Sequence, residues 1–195
     1  MIFQPIHDRH TVRPLATTDA EELFALTNAN RAFLRRWLPW LDGIQSPADT
    51  LASIETNLRK SEDNRGFHGA IVYDERIVGV ISYHQIDWGN RSTALGYWLA
   101  EDYQGRGLMT ASCRVLIDHA FAALNLHRVA IACATGNTRS RAIPERLGFV
   151  HEGTMREAEW LYTRYVDHAV YAQLQGDWQQ DIIRRLAGGA TSGSP

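Results

Sequence analysis

The sequence predicts a mixed α+β fold, a sheet built partly from an antiparallel meander and flanked by helices, and not a doubly wound parallel sheet. Three observations predict it. Before residue 62 the apolar residues recur at three- and four-residue steps. From Phe67 to Leu99 they follow the shorter period of strands. After that, strand and helix patterns alternate to the last strand.

In chain order, His10 to Leu15 reads as a first strand, and Thr17-Thr18-Asp19 before Glu21 and Glu22 reads as a helix start with acids in its first turn. Leu23, Phe24, Leu26 and then Phe33, Leu34, Trp37 and Leu38 predict a helix interrupted near Asn28-Ala29-Asn30 and stopped by Pro39. Ala48 to Ser61 predicts another, with Leu51, Ile54 and Leu58 on one face. Phe67 to Asp74 and Arg76 to Trp88 form a predicted hairpin, and Thr93 to Leu99 a third strand of the meander, with Gly96 marking a bulge or a close backbone approach. Met109, Cys113, Leu116, Ile117, Ala120 and Leu124 mark a long helix. Arg128 to Ala134 is a buried strand, Asn137 to Leu147 a short helix, and Gly148 a C-cap before a strand beginning at Gly148 to Glu152. Tyr165 to Leu174 is the last strand.

The 195 residues fit one domain, placed at 1–187, with a Gly/Ser-rich tail at 188–195 expected to be flexible. Apolar residues at 45% and charged residues at 22% exclude a disordered or fibrous chain. A net charge of −2 with scattered basic residues argues against a broad face for nucleic acid. Apolar runs fall far short of the ~20 residues that span a bilayer. The N-terminus has no signal-peptide h-region, so a soluble, cytoplasmic protein without membrane contact is expected. Cys113 and Cys133 sit inside apolar patterns and read as small hydrophobes. His7 and His10 are close in sequence, but nothing completes a zinc set, and no metal is expected.

The stretch from Gln104 to Thr110 is a glycine-flanked loop entering a helix. Such a loop offers several backbone N–H groups and a positive dipole end to an anion. It is neither a P-loop, lacking the Gly-Lys-Ser/Thr ending, nor a dinucleotide fingerprint. Arg139, Arg141 and Arg146 lie on the later short helix and reach outer phosphates if that helix lies beside the loop, or else form a solvated face. Asn137 and Ser140 are spaced as an N-cap and its third residue. The alternative is a functional pair at a helix mouth, one holding an amide-bearing arm and the other giving a proton.

Tyr103-Gln104-Gly105-Arg106-Gly107-Leu108-Met109-Thr110 is similar to the acyl-CoA loop of the GNAT N-acetyltransferase superfamily, whose usual pattern is Gln/Arg-x-x-Gly-x-Gly/Ala. Gln104 and Gly107 match it. Met109 departs from the final small residue, yet Gly-x-Met-Thr resembles the ribosomal-protein N-α-acetyltransferase branch, the RimJ/RimL group. Asn137-Thr138-Arg139-Ser140 through Leu147-Gly148-Phe149 is similar to that family's Asn-x-x-Ser and Leu-Gly-Phe segment. Arg36-Trp37-Leu38-Pro39-Trp40, and Glu152-Gly153 followed by Glu159, extend the likeness over about residues 8 to 178.

The resemblance implies a central, mostly antiparallel twisted sheet with a V-shaped split between two central strands, and acetyl-CoA as co-substrate. It implies a pantetheine arm along the strand ending at Trp98 and Leu99, and cofactor contacts from Gln104, Gly105, Arg106, Gly107, Leu108, Met109, Thr110, Asn137 and Ser140. It implies Glu159 as general base and Ser140 as general acid; without the resemblance Glu159 reads as a surface carboxylate in a loop from Arg156 to Trp160. Trp37, Trp40 and Trp160 are acceptor-site candidates that could equally be core or lid residues. Related proteins often form dimers, so a homodimer is a further implied option.

A thioester is already activated, and an α-amine has a reference pKa of about 7.7–8.0, so one carboxylate suffices to remove the amine proton. The acceptor expected first is the N-terminal amine of a protein, a ribosomal protein by resemblance. The alternatives are a small amine (polyamine, amino acid or antibiotic) or a non-catalytic acyl-CoA-binding protein.

Overall fold

The structure is a computed structural model and describes residue 6 and residues 9–189. His7 and tail residues 190–195 lie outside the described residues. Seven strands form one sheet: β1 (His10–Pro14), β2 (Phe67–Tyr73), β3 (Arg76–Tyr83), β4 (Ser92–Leu99), β5 (Arg128–Ala134), β6 (Val150–Leu161) and β7 (Arg164–Leu174). Their spatial order is β1-β2-β3-β4-β5-β7-β6. Every neighbouring pair is antiparallel except β4–β5, which is parallel. Among the described residues six α-helices accompany them: α1 (Ala20–Ala29), α2 (Arg31–Leu34), α3 (Pro47–Glu62), α4 (Leu108–Ala122), α5 (Thr138–Arg146) and α6 (Gln175–Gly189).

Alternation along the strands builds a core on each face. Ile71, Val78, Ile81, Leu95, Val129 and Ile131 pack with Cys113, Leu116, Ile117 and Phe121 of α4. The intervening Ala70, Ile77 and Val80 pack with Leu23 of α1 and Ile54 of α3. Because successive strand side chains point to opposite faces, α4 lies on one side of the sheet and α1 with α3 on the other. At the start of α3, Asp49 N donates to Ser46 Oγ at 3.3 Å and Ser46 N donates to Asp49 Oδ2 at 2.9 Å, with Pro47 in the first turn. Such a capping box contributes ~1 kcal/mol.

Four expectations change. The early break falls at Asn30, within the expected stretch, but the piece beyond it, α2, ends at Leu34 and does not run on to Pro39. β3 ends at Tyr83 and not at Trp88, because Ile86 N turns aside to bond Arg65 O at 2.9 Å and Asp87 bridges back to Ser92. The segment around Glu159, expected as a loop, lies within the long strand β6 with a register shift between Met155 and Glu159. Residues 175–187 were given no element, yet α6 occupies them and runs to Gly189, held by Trp178, whose Nε1 donates to Asp118 at 2.6 Å and whose ring meets Phe121 at 5.4 Å.

Candidate active site

Parallel pairing between β4 and β5 runs from Ser92–Arg128 to Leu95–Ile131 and stops there. Both strands go on. β4 continues to Leu99, paired with Gly79 of β3, while β5 continues to Ala134, paired with His168 of β7. Each strand is therefore held on its outer side while the inner sides part. A cavity of about 530 Å³ opens at this split, lined by Gly96, Tyr97 and Trp98 on one bank and Ala132, Cys133 and Ala134 on the other. Leu99 is buried in the core and is not among the residues lining the cavity.

The loop before α4 has the form of an anion site. Gly107 caps the helix at φ +78°, a left-handed conformation, and no side chain caps that end. The first helical bond there is Ala111 N to Gly107 O at 3.0 Å, so the N–H groups of Leu108, Met109 and Thr110 precede the helical ladder. The side chains of Leu108 and Met109 are buried and fix the helix start in the core. Apart from the adjoining residues, nothing lies within 4 Å of where a Cβ would stand at Gly105 or Gly107. Arg139 Nη1 donates to Gln104 Oε1 at 2.6 Å and Arg146 Nη1 to Thr110 Oγ1 at 3.2 Å, so α5 does lie beside the loop. Arg141 is used elsewhere, bonding Tyr171 Oη at 2.9 Å and Thr135 O at 3.2 Å. Arg106 turns back to the Asp102 carbonyl at 2.9 Å and over the Tyr103 ring.

Asn137 and Ser140 form the cap their spacing suggested, Ser140 N donating to Asn137 Oδ1 at 3.2 Å. The cap does not consume the Ser140 hydroxyl. That group points to Tyr97 Oη at 3.4 Å, while Tyr97 Oη donates to the Ser140 carbonyl at 3.2 Å. Burial pushes the Tyr97 phenol well up and keeps it protonated. Burial also pushes up the Cys133 thiol, with a hydrogen bond from Ser140 opposing it, which leaves a poor nucleophile.

Past the register shift in β6, Glu159 pairs with Val166, and its Oε2 lies 3.4 Å from His168 Nε2. Both side chains line the cavity. Trp37 and Trp40 line it as well, Trp37 with its ring 3.7 Å from the Cβ position of Gly136. Trp160 is not brought there. It is exposed and sits edge-to-face on Tyr165, ring centroids 4.9 Å apart. The β6–β7 turn closes this side through Tyr162, whose Oη donates to the Leu38 carbonyl at 2.6 Å and whose ring lies under Arg35.

Sequence reasoning missed the opposite wall. His68 of β2, Ser82 of β3 and His84 just beyond it line the cavity together with Thr50, Asn57 and Lys60 of α3. The His84 imidazole lies over Gly96, where an added Cβ would come within 2.3 Å of Nε2. Gly96 thus marks a side chain resting on the backbone. Burial holds His68 down at about 4, with His84 and Lys60 adding to the effect, and burial with Lys60 also lowers His84. Among the described residues no group of three His, Cys, Asp or Glu is placed to hold a metal ion, and no helix is long and apolar enough to cross a membrane.

The acetyltransferase (GNAT) domain model matches residues 9–150. The chain is 38% identical over 176 residues to the putative ribosomal N-acetyltransferase YdaF of Bacillus subtilis (strain 168), covering 89% of this chain and 96% of the relative. It is 30% identical over 160 residues to the ribosomal-protein-serine acetyltransferase of Escherichia coli (strain K12), covering 82% and 89%. A solved structure of RimL, a ribosomal L7/L12 α-N-protein acetyltransferase in complex with coenzyme A, superposes with a TM-score of 0.86 at 28% identity, covering 89% of this chain and 98% of that one. With its family model over most of its length, its split sheet and its relatives all in agreement, this chain belongs to the GNAT acetyltransferases and is an N-acetyltransferase.

Proposed function

We propose that the chain moves an acetyl group from acetyl-CoA directly to the N-terminal α-amine of a protein, a ribosomal protein being the acceptor class, in the cytoplasm. The observation that carries this reading is that Glu159 and Ser140 line the one cavity into which the parted ends of β4 and β5 open. The names of the relatives favour a protein N-terminus as acceptor. The residues present fit the co-substrate: the uncapped start of α4, the open space at Gly105 and Gly107, and the neighbouring Arg139 and Arg146 suit a pyrophosphate.

When bound, acetyl-CoA supplies an acetyl group already activated as a thioester. Glu159, directly or through water, takes the proton from the attacking amine. Ser140 gives its hydroxyl proton to the departing thiolate and regains one from water, while Tyr97, which accepts from the Ser140 hydroxyl at 3.4 Å, holds that hydroxyl in place. Backbone N–H groups along the unpaired edge of β4 stabilise the charge developing on the carbonyl oxygen. The test is release of free CoA thiol from acetyl-CoA, with a panel of N-terminal peptides and a panel of small amines. Turnover with peptides supports the reading, and turnover confined to small amines overturns it.

A further inference from the structure

The cavity is electrically lopsided. Glu159 is the one carboxylate lining it and Lys60 the one lysine or arginine, among the described residues. Glu159 comes from β6, whereas Lys60 comes from α3, above the β2–β3–β4 half of the sheet. Lys60 is exposed and makes no ion pair with a described residue.

Beneath Lys60 the sheet presents donors. His68 is paired with Ser82 and Ser82 with Gly96, so the three form one row across β2, β3 and β4. His68 Nδ1 is sealed in the protein with no hydrogen-bond partner, and so is Thr50 Oγ1 on α3. Leaving an N–H sealed without an acceptor is costly, so the neutral imidazole carries its proton on Nε2, the nitrogen free to serve an occupant. His84 lies directly over Gly96, the first β4 residue beyond the last β4–β5 pair. A carboxylate arriving here finds the Lys60 ammonium and two imidazole edges, with Glu159 on the far side of the split. A cationic chain such as a polyamine arm meets like charge.

The distances set where that carboxylate must be. Strands lie about 4.8 Å apart, so His68 on β2 is about 10 Å across the sheet from Gly96 on β4 at the split, where the His84 ring rests. An extended peptide advances about 3.3 Å per residue, so with its α-amine at the split its second residue lies beside His84 and its third, about 7 Å out, brings a side chain within reach of His68.

We infer that Lys60, His68 and His84 form an acceptor subsite for a carboxylate, so that the preferred substrate is a protein N-terminus carrying Asp or Glu as its second or third residue. This inference rests on the N-terminal reading and narrows it. Lys60 is a specificity residue and touches no reacting atom, so its effect falls on KM and leaves kcat in place.

The experiment uses the full chain at saturating acetyl-CoA, with peptides that differ only at the second or third residue, bearing Glu, Gln or Lys there. The Glu peptide is expected to show a KM about tenfold below that of its Gln counterpart at similar kcat, with the Lys peptide weakest. In Lys60→Glu the order of the Glu and Lys peptides should reverse, and in Lys60→Gln the preference should disappear. Equal kcat/KM for the Glu and Gln peptides, or an order unchanged in Lys60→Glu, overturns the subsite while leaving N-terminal acetylation standing. Turnover of small amines with no turnover of any peptide overturns both.

Discussion

Glu159 Oε2 and His168 Nε2 face each other at 3.4 Å from adjoining strands, and both open onto the cavity at the split. With Glu159 as the proton acceptor, Glu159→Gln keeps the shape of the side chain and removes its basicity. The expected result is a kcat lower by about 10²–10⁴-fold with acetyl-CoA affinity unchanged, the defect shrinking toward pH 9 as the amine deprotonates unaided. A pH-rate series with a peptide acceptor, beside calorimetric titration with acetyl-CoA, checks it. Normal turnover at pH 7 would remove Glu159 from the mechanism.

Ser140 and Asn137 separate chemistry from capping. Ser140→Ala keeps the N–H that Asn137 holds and deletes only a hydroxyl 3.4 Å from Tyr97, so stability should change by less than ~0.5 kcal/mol while turnover falls. Asn137→Ala deletes the cap and should lower stability by ~1 kcal/mol. Urea melts and single-turnover rates on both variants distinguish the two roles. A Ser140→Ala enzyme that loses stability and keeps its rate per folded molecule would make the serine structural.

At Gly107 the backbone φ is +78°, where a β-branched residue is strained. Gly107→Val should lose ~1–2 kcal/mol of stability and also weaken acetyl-CoA binding, because its side chain fills the open space above the first N–H groups of α4. Gly107→Ala is the milder companion. Thermal melts and direct binding are measured together, and a folded valine variant with parental affinity would refute the loop assignment.

His68 makes stability depend on pH. Its folded-state value is about 4 against an ordinary 6.5, mainly because of burial, so the unfolded chain binds the proton more readily. The stabilising effect is complete above 6.5 and is lost as pH falls from there toward 4, amounting to ~3 kcal/mol over the interval. Denaturant titrations at pH 7.5, 5.5 and 4.5 should show this loss, and His68→Gln should flatten it. An unchanged slope in that variant would show that His68 is not its source.

The parts of this molecule legible in its sequence are those written locally. The strand Arg128–Ala134 has the bounds its apolar run suggested, and α4 buries Met109, Cys113, Leu116, Ile117 and Ala120 at the spacing that marked it. The Gln104–Thr110 loop and the Asn137–Ser140 cap were visible because their chemistry lies within a few residues. What depended on distant partners was not visible. β7 lies between β5 and β6, a pairing between segments far apart in the chain. Nothing local in the sequence joins His68 to His84; the β2–β3 register is what puts them on one wall. α6 carries only a sparse apolar pattern, and Trp178 identifies it chiefly through Asp118 and Phe121, 60 and 57 positions away.

The end of β4–β5 pairing at Leu95 and Ile131 leaves two strand edges without a ladder partner in the middle of a sheet. Exposed strand edges elsewhere invite pairing with other chains and hence aggregation. Here the two edges belong to strands each backed by a neighbour, β3 behind β4 and β7 behind β5, and helices pack on both faces of the sheet. A foreign strand would need room for side chains on both its faces, whereas a slender amide-bearing arm would not. The gap therefore acts as a sieve by thickness, keeping hydrogen-bonding capacity ready for a ligand without offering it to another copy of the protein.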